Sequence, residues 1–162
     1  MHSEALQRLE DARLLASSSN PFSTSVHLLS LLGFELLLKL VYELELGTRA
    51  HGHNYDELFS KLPTAAHASI LLSARRRVFS SALNTDHHAV LKEWSDNFIN
   101  LRYPYEKYKG MTEAEYEKHA QEWAARGGPP ADATFCYYPA ELFGMVLALK
   151  EHADINLTLP QH

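Results

Sequence analysis

The run VHLLSLLGFELLLKLVYELEL, from Val26 to Leu46, decides the fold. Leu28, Leu29, Leu31, Leu32, Phe34, Leu36, Leu37, Leu38, Leu40 and Val41 cover nearly the whole circumference of a helix. A helix that is apolar all round is normally enclosed by neighbours. The run approaches the length of a membrane span, yet it carries His27, Glu35, Lys39, Glu43 and Glu45. Placing those charges in lipid would cost several kcal/mol. The run therefore reads as the central helix of a cytoplasmic protein with no membrane partner, extending from about Phe22 to Leu46. Glu35 and Lys39 stand four residues apart, so they can pair along one face. Gly47 supplies a left-handed stop.

On the amino-terminal side, Leu6, Leu9, Leu14 and Leu15 recur among polar residues from Ser3 to Ala16, an amphipathic first helix. It stops in Ser17-Ser18-Ser19-Asn20-Pro21. Beyond the central helix, Arg49 to His53 reads as a loop. Asn54 is a cap for a short helix, Tyr55 to Leu62, with Asp56 and Glu57 in its first turn. Pro63 or Thr64 opens a fourth helix through about Ser80, with Ile70, Leu71, Leu72, Val78 and Phe79 facing inward. Asn84-Thr85-Asp86 reads as a turn. A fifth helix follows from about His87 towards Tyr103, with Leu91, Trp94, Phe98 and Leu101 on one stripe. Pro104 predicts a kink or stop there, since it lacks an N–H and disfavours helix at Tyr103.

Thr112 with Glu115 forms a capping-box pattern for a charged, exposed helix through about Arg126. Gly127-Gly128-Pro129-Pro130 ends it. Thr134 to Tyr138 is β-prone, but one segment cannot make a sheet. Pro139 starts a last helix through about Ala153, with Leu142, Phe143, Val146, Leu147 and Leu149 turned inward. The fold class is all-α: an up-and-down bundle of four to five main helices plus short ones. It forms a single domain over residues 1–156 with a loose tail at 157–162.

The chain has 162 residues, 46% apolar and 22% charged, enough for one ordinary core. The lone Cys136 excludes an internal disulfide and fits a reducing compartment. The amino terminus lacks the basic-then-apolar layout of a secretory signal. A net charge of −5 gives no general attraction to nucleic acid, so phosphate binding needs a local basic patch. Arg75, Arg76 and Arg77 are the first candidates for nucleotide binding, and Lys107 the second. The competing reading of the arginine run is a set of cations complementing a helix C-terminus. No phosphate-cradling glycine loop or nucleophile elbow occurs, which removes ATPase and serine-hydrolase readings. His51 with His53 and His87 with His88 lack zinc-site spacing, so neither metal nor cofactor is expected.

The densest polar group is Arg102, Tyr103, Tyr105 and Glu106 around Pro104. Chemistry on a phosphate ester needs an acid–base group and a cation for the phosphate. Arg102 suits the second role, with Tyr105 and Glu106 orienting it. His53 suits the first if its loop folds over the end of the fifth helix. In the other reading Arg102 pairs with Glu106 or Glu35, and Lys39 and Tyr103 complete a structural polar network.

Three pieces carry a resemblance: Glu35 to Lys39 on the central helix, Gly52-His53-Asn54-Tyr55-Asp56-Glu57-Leu58, and Leu101-Arg102-Tyr103-Pro104-Tyr105-Glu106. In order and spacing they resemble the HEPN domain family (higher eukaryotes and prokaryotes nucleotide-binding), over about Ala12 to Glu106. The resemblance implies an up-and-down bundle, homodimerisation, and a prokaryotic defence or toxin–antitoxin setting with an antitoxin protein as partner. Many members of that family are metal-independent ribonucleases using Arg, four to six residues, then His. Here those positions after Arg102 hold Lys107, Tyr108 and Lys109. Two readings stand side by side: a HEPN-like protein acting on RNA or nucleotides, and a non-catalytic homodimeric interaction module whose Arg–Tyr–Glu cluster is structural.

Overall fold

A computed structural model describes residues 1–18, 23–127, 133 and 135–158. All regular structure among them is helical, as expected. In chain order the helices are α1 (His2–Ser18), α2 (Thr24–Leu46), α3 (Tyr55–Ser60), α4 (Thr64–Arg75), α5 (Ala82–Asn100), α6 (Glu113–Ala125) and α7 (Pro139–Thr158). A short 3-10 turn, Pro104–Tyr108, lies between α5 and α6.

The central position of α2 follows from its composition. Leu31, Phe34, Leu37, Leu38 and Val41 are fully enclosed, with α1 and α7 as the main neighbours and α3 and α5 against the remaining side. By length and composition α2 is a candidate membrane span. Here one stripe of that apolar surface is covered by protein, 44% of its most apolar stretch being buried, while Leu28, Leu32, Leu36 and Leu40 are only partly covered. Ser23 caps the start by accepting from Val26 N at 3.3 Å. Gly47, at φ 64°, ends the helix by donating to the Glu43 carbonyl at 2.9 Å. Close contact with α1 depends on Gly33, where a Cβ would fall 2.6 Å from Leu9 Cγ.

Several boundaries and faces differ from the sequence expectation. The fourth helix stops at Arg75 rather than near Ser80. Ser80 adopts φ 54° and Ser81 caps the next helix, so Phe79 turns out to 98% exposure instead of inward. Leu72 and Phe143 are also exposed. The reason for Phe143 is the tight seat of α7 on α4, where a Cβ at Gly144 would lie 3.1 Å from the Ala74 carbonyl. Closest approach falls at 144, and its neighbour rotates outward. The fifth helix begins at Ala82, before the expected turn, which survives as a break within it: Asp86 has φ −155° and ψ 89°. Its carboxylate accepts from Ala89 N at 3.0 Å and caps the portion that follows.

The segment 135–138 is irregular and straps α5, since Trp94 Nε1 donates to the Tyr137 carbonyl at 3.0 Å. Asn97 Nδ2 donates to the Cys136 carbonyl at 2.9 Å. The last helix continues to Thr158, past the expected end near Ala153, so Leu157 and Thr158 are helical rather than tail. Residues 159–162, the rest of the expected tail, lie outside the described residues, as does Thr134.

Candidate functional site

The site begins with a carboxylate inside the bundle. Glu35 lies on α2 with its side chain only 6% exposed, and three donors converge on it. Lys39, one turn later, places Nζ 2.9 Å from Oε1. The Tyr55 hydroxyl donates to Oε2 at 2.9 Å. His53 Nδ1 lies 2.8 Å from the same oxygen. A buried carboxylate is tolerated because its lone pairs are filled in this way.

Local sequence explains how His53 reaches Glu35. The loop after Gly47 is tied back by Ala50 N donating to Glu43 Oε1 at 3.4 Å. Gly52 takes φ 81°, a conformation that side-chain-bearing residues seldom adopt. Asn54 then caps α3 by accepting from Glu57 N at 3.1 Å. The next amide, Tyr55 N, donates to Ser95 Oγ on α5 at 2.9 Å, and that hydroxyl donates to the Leu91 carbonyl at 2.9 Å. One buried serine thus bolts the histidine loop to α5.

The fifth helix supplies the other half. Phe98 sits with its ring 5.2 Å from the His53 ring and 6.1 Å from that of Tyr55. One turn on, Arg102 holds Cζ 4.4 Å above the Phe98 centroid, a cation–π contact. The helix ends at Asn100, so Arg102 stands in the turn between α5 and the 3-10 segment. Among the described residues its guanidinium makes no hydrogen bond or ion pair. The His53 side chain is 43% exposed, and Nε2 makes no hydrogen bond there either. Burial, then the charge of Glu35 and the hydrogen bond to it, hold the Tyr55 phenol far above its usual range; the positive charge of Arg102 opposes this. Tyr55 is therefore a fixed proton donor to the carboxylate.

Of the residues singled out in the sequence, Glu35, Lys39 and His53 come together, and Arg102 is linked to them through the Phe98 ring. Tyr103 does not join their network; it is exposed, edge-on to Tyr105 at 6.3 Å. Its expected place is taken by Tyr55. Tyr105 is 65% exposed. Among the described residues neither Tyr105 nor Glu106 makes a hydrogen bond, ion pair or cation–π contact with Arg102, which stands on Phe98 instead. Nor does Arg102 pair with Glu106 or Glu35. Tyr55 had a sequence signal, since it follows a capping Asn on a loop that must close onto the core. Phe98 read only as a core residue, and Ser95 carried no signal.

In the arginine run, Arg76 and Arg77 line a surface cavity with Ser69, Leu72 and Ser73, and two of the three side chains are engaged within the protein. Arg75 donates through Nε and Nη2 to the Leu83 carbonyl at 3.0 and 2.6 Å. Arg77 bonds to the Ser73 carbonyl and pairs with Glu151. Arg76 alone of the three has no partner among the described residues. The Lys107 side chain lies outside what the structure describes. No group of three His, Cys, Asp or Glu side chains converges to hold a metal among the described residues.

The arrangement is an imidazole oriented by a buried carboxylate and a guanidinium held on an aromatic ring, both packed on Phe98 of a helical bundle. In comparisons with known proteins, no family model, curated protein or solved structure matches the chain.

Proposed function

We propose that the protein is a HEPN-like, cytoplasmic, homodimeric ribonuclease of a prokaryotic defence or toxin–antitoxin system, working without metal. The observation that carries this is the Glu35–His53 pair, with Nδ1 held by the carboxylate and the imidazole 43% exposed, packed on the same Phe98 ring as an Arg102 that makes no ion pair among the described residues. In the proposed reaction His53 Nε2 takes the proton of an RNA 2′-OH. The 2′-oxygen bonds to phosphorus, the bond from phosphorus to the 5′-oxygen breaks, and Arg102 stabilises the charge on the non-bridging oxygens. The departing 5′-oxygen must gain a proton on the opposite side of the in-line displacement. A single imidazole cannot reach both sides, which is why the reading includes a second copy supplying its own His53 as the acid.

The test is RNA cleavage in the presence of a chelator. Wild type cleaves, while Arg102→Ala and His53→Ala each lose about a hundredfold or more in rate. The melting temperature of Arg102→Ala stays unchanged, because the residue is exposed. A second reading, a non-catalytic module that docks a second copy or an antitoxin protein, is favoured by the exposed Ile99, Tyr103 and Tyr105 around Arg102. It predicts no cleavage by wild type and loss of association in Tyr105→Ala.

A further inference from the structure

Beside the first turns of α2 lies a cavity of about 220 Å³. Leu9 of α1, Val26 of α2, and Leu142, Phe143 and Val146 of α7 form its apolar walls. A tight core leaves few voids larger than a water molecule, so a space of this size is more than a packing defect. Phe143 is 63% exposed, which brings the cavity to the surface. Among the described residues four polar ones also line it, and three of them have partners. Ser23 Oγ accepts from Val26 N at 3.3 Å, and Ser30 Oγ donates to the Val26 carbonyl at 2.9 Å. Tyr137 has Thr24 as a hydrogen-bond partner. The fourth is His27, which is 7% exposed and stacked on Tyr137 through one ring face. Its Nε2 is buried and has no hydrogen-bond partner. Buried polar atoms are nearly always paired, so this nitrogen sets the cavity apart from the apolar core around it.

Charge, hydrogen bonding and size choose the ligand. None of the described lining residues carries a charge at pH 7, since burial lowers the pKa of His27 to about 4 and keeps it neutral. An ion entering this space would lose its hydration and find no counter-charge on the walls. An uncharged molecule with an apolar body loses nothing of the kind. A hydroxyl suits a neutral imidazole best, because it both donates and accepts and so pairs with Nε2 in either tautomer. A second polar group on the ligand would go unmet, because the other polar groups of the wall are engaged already. An apolar cavity of about 150 Å³ holds a benzene ring, so this one has room for roughly eight to ten non-hydrogen atoms.

We infer that this cavity binds a small uncharged molecule with an apolar body and one hydroxyl group, which pairs with His27 Nε2. The inference stands apart from the proposed cleavage, since neither Glu35, His53 nor Arg102 lines these walls. It gives the unpaired nitrogen a partner and the exposed Phe143 a place at the rim of an opening.

The experiment titrates the full chain at pH 7 with p-cresol and, in parallel, with p-xylene, which carries a methyl group in place of the hydroxyl. Calorimetry on wild type and His27→Phe gives four affinities. p-Cresol is expected to bind wild type at millimolar concentration or below. The ratio of p-cresol to p-xylene affinity is expected to be about tenfold higher in wild type than in His27→Phe, the size of one net hydrogen bond. Binding of p-xylene needs no partner, so its persistence in His27→Phe shows that the variant keeps the cavity. A second measurement uses wild type alone and does not depend on how the variant folds. In nuclear magnetic resonance spectra p-cresol should shift the ring signals of His27 and leave those of His152, which pairs with Glu45 at the other end of α2. An equal affinity ratio in the two proteins, no binding of p-cresol at millimolar concentration, or unmoved His27 signals at saturation would each overturn the proposal.

Discussion

At the first turn of α2, His27 is 7% exposed and stacks on Tyr137 with ring centroids 4.1 Å apart. Its Nε2 is buried without a hydrogen-bond partner. Burial lowers its pKa from 6.5 to about 4, so the folded protein holds it neutral at pH 7. The unfolded chain binds this proton near pH 6.5 and the folded chain only near 4. Between those values the unfolded state carries more protons, and stability rises with pH. The stabilisation is complete above about pH 6.5 and is lost as pH falls through about 4, amounting to about 3 kcal/mol on this shift. His67 and His87 are shifted down as well, first by burial and then by the charge of His88, and they add to the same slope. His27→Phe keeps the stack on Tyr137 and removes the titrating group. Its melting temperature is expected to fall less than that of wild type between pH 7 and pH 4, measured by thermal denaturation across that range. An equal fall in both proteins would mean that the proton is not taken up at His27.

Among the elements, the seam between α1 and α2 is set by the absence of a side chain. Gly33→Val would drive a branched side chain into Leu9 and the Ala5 carbonyl, which a Cβ alone would approach to 3.3 Å. Overpacking of this kind costs about 1–3 kcal/mol, to be read as a shift in denaturant midpoint without a change in slope. Helix periodicity made α2, α5 and α7 legible, because a core stripe repeats every turn whatever surrounds it; in α1 the buried residues are Ala5 and Ala12, and Leu14 of the expected leucine stripe is exposed. Caps were equally legible: Asn54, Thr112 with Glu115, and Gly47 each satisfy their own backbone neighbours. Faces that depend on a distant partner were not. Nothing near Phe79 or Phe143 announces exposure, since that follows from where α4 stops and how closely α7 lies on it. The site shows the same division. Glu35 and Lys39 advertised themselves as charges on an apolar helix, and His53 and Arg102 as polar residues at element ends. The ring beneath the guanidinium and the serine under the loop are decided only by the docking of α3 on α5.

For the molecule as a whole, the net charge of −5 means that the proposed reaction on RNA would rest on very few groups. Two of the three clustered arginines are already engaged with a carbonyl or a carboxylate. On the proposed reading, Arg75→Ala and Arg77→Ala should therefore each leave RNA affinity within about twofold of wild type, whereas Arg102→Ala weakens it. The logarithm of affinity should fall with the logarithm of salt at a slope no steeper than about −2, that of one or two phosphate contacts. Filter binding over a salt series measures both; a slope beyond about −4 would restore the arginine run as a phosphate surface.

The interruption of α5 at Asp86 sets the phase of everything after it. Its carboxylate restarts the winding at a defined residue, so the rotational phase of Trp94, Ser95, Phe98 and Arg102 is counted from there. A residue inserted between Asp86 and Trp94 would turn all four by about 100° around the helix axis, carrying Trp94 off the Tyr137 carbonyl and Phe98 off the His53 ring.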